Sequence, residues 1–130
     1  MNKNLVFNLH IPTKLLFGCG ELKKLATETM PGKKALIVIS GGTSMKKYGY
    51  LDKVVGYLKE NNIESVVFDK ILPNPIKQHV MEAAAICRDE KCDFVIGLGG
   101  GSSIDSAKSI AIMACNEGDY WDYVAGGTGK

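Results

Sequence analysis

Three short apolar runs, ALIVIS (35–40), SVVFD (65–69) and FVIGL (94–98), are each followed by a stretch whose apolar residues return every three or four positions. A brief run without polar relief fits a strand covered on both faces, and the returning stripe fits an amphipathic helix. The stripes are Leu51, Val54, Val55 and Leu58; then Ile76, Val80, Ala83, Ala84 and Cys87; then Ile104, Ala107, Ile110, Ala111 and Ala114. Strand and helix alternate three times with short connections. That order predicts an open α/β domain, a parallel sheet with right-handed crossovers and helices on both faces.

The flanks are less regular. LVFNL (5–9) and KLLFG (14–18) are apolar and separated by a break at Pro12, which predicts an extended pair or edge ribbon. Glu21 to Glu28 reads as a short helix ended near Pro31 and Gly32. Pro73-Asn74-Pro75 excludes helix before Ile76. At the other end, Tyr120–Tyr123 leads into the glycine-rich segment 124–130. Residues 1–130 are expected to form one domain, cut within that segment.

Composition excludes several classes. The 130 residues carry a formal net charge of only +2 with scattered lysines, which gives neither a nucleic-acid stripe nor a basic membrane patch. No apolar run approaches the roughly 20 residues needed to span a bilayer, and the N-terminus is a poor signal peptide. Cys19, Cys87, Cys92 and Cys115 lack CxxC spacing and read as reduced thiols of a cytoplasmic protein. A metal site on Cys87 and Cys92 would be short of ligands, with only His10 and His79 as imidazoles.

Two loops fall where ligands bind in open parallel sheets, beyond the carboxyl ends of strands. One is Ser40-Gly41-Gly42-Thr43-Ser44; the other is Gly99-Gly100-Gly101-Ser102-Ser103, opening into the last helix. Glycines let a ligand approach the backbone, and the free N–H groups of a helix start favour an anion. Ser102 or Ser103 can cap that helix or donate to phosphate, and Asp105 is placed in its first turn. The competing reading is a tight turn and nothing more; three consecutive glycines followed by serines favour a pyrophosphate cradle. The G-x-G-x-x-G fingerprint fails at Ser102, and a Walker A loop ending at Gly129-Lys130 fails at Val124.

These residues resemble the iron-containing (group III) alcohol dehydrogenases. The resemblance rests on HIPTKLLFGCGELKKL, on the LPNP turn at 72–75 and above all on GGGSSIDSAKSIAI from Gly99. SGGTSMKKYGYLDKV (40–54) is most similar to the NADPH-dependent butanol and aldehyde reductase branch. The resemblance implies a Rossmann-like N-terminal dinucleotide-binding domain, paired in the family with a helical domain holding a divalent metal, iron or zinc. By motif match, Gly100, Gly101, Ser102 and Asp105 would meet the pyrophosphate and nicotinamide side, Asn74 the adenosine, and Gly42, Thr43 and Ser44 its ribose. NAD-preferring members carry an aspartate where Ser40 stands, so NADP(H) is favoured over NAD(H), with Thr43, Ser44, Lys46 or Lys47 available to a 2′-phosphate.

The implied reaction interconverts a small alcohol and an aldehyde or ketone. The family's metal ligands and substrate pocket lie beyond residue 130, so no catalytic or metal residue is expected in this chain, and His10 and His79 read as structural. A homodimer or larger assembly is expected. A glycerol-dehydrogenase-like or dehydroquinate-synthase-like fragment and a non-catalytic nucleotide-binding module are the alternatives.

Overall fold

The computed structural model describes residues 6–74 and 76–127; Leu5 of the first apolar run, Pro75 of the proline turn and Thr128–Lys130 lie outside them. Three strands, β1 (Lys34–Ser40), β2 (Glu64–Ile71) and β3 (Phe94–Gly97), form a parallel sheet in the order β2-β1-β3. Between and after them come α1 (Ser44–Lys47), α2 (Tyr50–Glu60), α3 (Lys77–Asp89) and α4 (Gly101–Cys115).

β1 is the middle strand, and Ala35–Ile39 are wholly inaccessible. Its period of two divides the core. Ala35, Ile37 and Ile39 pack with Leu51, Val54 and Leu58 of α2, while Leu36 and Val38 pack with Val80 and Ala84 of α3 and Ile110 and Met113 of α4. Each of the buried Leu, Ile, Val and Met side chains among them contributes about 1.5–3 kcal/mol. The predicted arrangement of helices on both faces is therefore met, with α2 on one face and α3 and α4 on the other. β2 departs from the expectation of a buried strand: it forms a rim of the sheet, and Val67 is 40% exposed.

α2 and α3 end in the same way. Asn62 and Lys91 take positive φ, of 57° and 55°, and the next residue bonds back to the helix: Ile63 N to Leu58 O at 2.9 Å and Cys92 N to Cys87 O at 2.9 Å. This Schellman geometry brings an apolar pair together at each end, Leu58 with Ile63 and Cys87 with Cys92. Cys87 and Cys92 thus belong to a helix stop. Burial pushes the Cys87 thiol up to about 11 and raises that of Cys92.

Two flanking expectations need correction. Residues 6–17 form no strand, and Val6, Phe7, Leu9, Ile11, Leu15 and Phe17 are exposed, so the predicted ribbon finds no ladder among the described residues. A pair of short apolar runs makes no stable ribbon without further strands or a helix packed against it. The expected helix at 21–28 is a 3₁₀ helix over Glu21–Ala26, with Thr27 turning out of it.

Candidate functional site

β3 ends opposite Val38, which pairs with Gly97 and accepts from Leu98 N at 2.9 Å, while β1 runs two residues further to Ser40, beside Ile71 of β2. From there the chain diverges: the loop after β1 runs toward the α2 face and the loop after β3 toward the α4 face. A crevice at such a switch point is where open α/β sheets bind ligands. Both predicted glycine loops flank it, and Met45 of α1 reaches across, its Cγ 4.0 Å from where a Cβ on Gly99 would stand.

Gly97 at the end of β3 and the glycines of the second loop fall into two kinds. At Gly97 a Cβ would stand 2.9 Å from Ile104 Cα and 3.0 Å from Ser103 O, so the bare position lets α4 pack onto β3. Gly99 has φ of 135° and Ser103 Oγ 3.1 Å from its would-be Cβ. Gly100 and Gly101 have neither constraint: φ is not positive, and a Cβ on either would meet nothing within 4 Å. Gly42 is likewise unconstrained, its nearest neighbour being Ser40 Oγ at 3.8 Å. The fold explains the first pair of glycines and leaves the second unexplained.

α4 opens with Gly100 as its N-cap, so no side chain caps it, and the first amides to find carbonyls are Ser103 and Ile104, both to Gly100 O at 3.1 and 3.2 Å. The amides of Gly101 and Ser102 find no acceptor among the described residues, leaving donors at the positive end of a 15-residue helix. The serines differ from expectation. Neither caps the helix: Ser102 Oγ donates to Pro73 O at 2.6 Å, and Ser103 is buried. Asp105 falls in the second turn because the helix begins only at Gly101, and it pairs with Lys108 at 3.3 Å. The bond from Ser102 draws the turn holding Asn74, which is exposed, toward the α4 N-terminus.

The first loop is held from the other side. Gly41 N donates to Ile71 O at 2.8 Å, and a Cβ on Gly41 would stand 3.2 Å from Asp69 O. Thr43 and Ser44 are exposed at the start of α1, and Ser40 is half-buried. Lys46 forms an ion pair with Asp69, whose carboxyl is held below its usual range by that hydrogen bond. Asp69 was not singled out from the sequence; its only signal was an acid closing an apolar run.

The chain matches the iron-containing alcohol dehydrogenase family over residues 12–130. It belongs to that family. Similar relatives include NADH-dependent butanol dehydrogenase A of Clostridium acetobutylicum, 38% identical over 120 residues, covering 92% of this chain and 31% of that protein. NADPH-dependent butanol dehydrogenase of Clostridium saccharobutylicum is 41% identical over 103 residues, covering 79% and 26% respectively. The crystal structure of NADH-dependent butanol dehydrogenase A from Thermotoga maritima superposes with a TM-score of 0.84 at 43% identity, over 90% of this chain and 30% of that one. The chain thus spans about 30% of the length of these family members.

Among the described residues no cluster of His, Cys, Asp and Glu is arranged to hold a metal, and no helix is long and apolar enough to cross a membrane. His10 is exposed, and His79 packs edge-on against Phe68 with ring centroids 6.5 Å apart.

Proposed function

We propose that this chain is the N-terminal dinucleotide-binding domain of an alcohol dehydrogenase that interconverts alcohols and aldehydes or ketones by hydride transfer, with NADP(H) favoured. The observation that carries the reading is the pair Gly100 and Gly101, bare without a packing or backbone reason and followed by unclaimed amides. A pyrophosphate accounts for both features, since it needs close backbone approach and N–H donors. In this proposal Gly99–Ser103 cradle the pyrophosphate and Asp105 stands on its nicotinamide side. Asn74 lies by the adenosine, and Ser40–Ser44 surround its ribose.

The nicotinamide supplies or accepts hydride when bound. The residues of this chain bind and orient the cofactor: free amides take the phosphate charge, and the Ser102–Pro73 bond holds the adenosine-side turn against the cradle. A divalent metal, iron or zinc, would be held by residues outside this chain. The preference for NADP(H) rests on Ser40, which offers no carboxylate to repel a 2′-phosphate. The four cysteines are free, in keeping with a cytoplasmic setting. A dimer or larger assembly would cover the exposed apolar side chains of residues 6–17.

Titration of the chain with NADPH and NADH by fluorescence tests the reading. Submillimolar binding with NADPH the tighter is expected; no binding of either below millimolar would overturn the assignment of the cradle.

A further inference from the structure

We infer that Lys46 and Asp69 together form the device that discriminates a 2′-phosphate from a 2′-hydroxyl, with Lys46 exchanging Asp69 for the phosphate when NADP(H) binds. The inference rests on the proposed dinucleotide site and adds to it a residue, Asp69, that the glycine loops do not contain.

Placement carries it. Across the sheet the order is β3, β1, β2, with strands about 4.8 Å apart. If the pyrophosphate lies over the end of β3 and the ribose over the loop after β1, a group extending past the ribose away from β3 arrives at the end of β2. Two contacts fix that neighbourhood: Gly41 N to Ile71 O at 2.8 Å, and the 3.2 Å between a Cβ on Gly41 and Asp69 O. The ribose loop is laid directly against the last residues of β2. Charged groups there include Lys46 and Asp69, paired with each other, and Lys70, which is paired with Glu82 of α3, while Lys47 of α1 lies over the Tyr48 ring at 5.9 Å.

The chemistry follows from that pairing. A lone carboxylate at this edge would repel a 2′-phosphate and suit a ribose diol, as acids at strand ends do in other dinucleotide sites. Lys46 neutralises it. The pair is open to solvent, with the lysine side chain 53% and the aspartate 42% exposed, and exposed ion pairs hold weakly. A phosphate dianion therefore competes well for an ammonium on a flexible stem. Without a 2′-phosphate Lys46 stays on Asp69; with one, it moves across and leaves the carboxylate to water and the neighbouring Lys70.

The test measures NADPH and NADH dissociation constants for wild type, Lys46→Gln, Asp69→Asn and the double variant, with far-UV circular dichroism to confirm folding. Asp69→Asn is expected to raise the NADPH-to-NADH affinity ratio at least fivefold, by removing the competitor. Lys46→Gln is expected to lower it at least tenfold, by removing the phosphate partner and unmasking the acid, with the double variant in between. Ratios within twofold of wild type in both single variants overturn the inference and leave the dinucleotide reading standing. A change only in Lys46→Gln would make Lys46 a simple phosphate ligand and overturn the exchange. Failure of wild type to bind either cofactor would overturn the inference and the reading together.

Discussion

Ser102 Oγ donates a 2.6 Å hydrogen bond to the carbonyl oxygen of Pro73, joining the N-terminus of α4 to the turn between β2 and α3. The serine does not cap the helix; within the proposed cradle it also ties the turn holding Asn74 to the start of α4. Ser102→Ala should lower stability by only about 0.5–1 kcal/mol, the usual worth of a solvent-accessible hydrogen bond. Dinucleotide affinity should fall severalfold as the turn drifts from the cradle. Chemical denaturation and a cofactor titration on the same preparation check both halves.

Gly97 and Gly100 should separate folding from binding. Gly97→Ala places a Cβ against Ile104 Cα and Ser103 O, backbone atoms that cannot step aside, and should cost about 1–3 kcal/mol. Gly100→Val meets open space and should leave the melting temperature near wild type while abolishing dinucleotide binding, because its side chain would fill the phosphate path. Unchanged affinity in a well-folded Gly100→Val protein would refute the cradle.

Asp93 should shape the acid limb of stability. Its carboxylate accepts hydrogen bonds from Lys33 N at 2.7 Å and Lys34 N at 3.0 Å, tying the starts of β3 and β1 together. Those two bonds hold its pKa below the usual carboxylate value. A depressed folded-state pKa stabilises above the unfolded value of about 3.9, and the contribution drains away as pH falls through the lower folded value. Asp93→Asn should therefore destabilise near neutral pH and lose less on acidification than wild type. Urea midpoints measured from pH 7 to pH 2 would show the two curves converging.

The cysteines should react in an order set by burial. Cys19 and Cys115 are exposed and should alkylate first; Cys92 is half-buried and slower. Cys87, buried and with its thiol pushed up to about 11, should be modified only when the protein unfolds. Timed alkylation read by peptide mass spectrometry, with and without denaturant, gives the order directly.

The sequence by itself determined the three strands, the three long helices and both glycine loops, because each is written in neighbouring residues. The unbroken apolar run of ALIVIS and the returning stripes after it survive any arrangement of the rest. Resemblance in GGGSSIDSAK located the family on the same local basis. Tertiary structure decided what depends on contacts between distant residues. Sheet order made β2 and β3 rims and brought Asp69 beside the loop after β1, while residues 6–17 join no strand among the described residues. It committed Ser102 to Pro73, and it divided four neighbouring glycines into two that packing or backbone requires and two that it does not. No local pattern encodes those outcomes: each is set by which surface lies opposite once the sheet has closed on its helices.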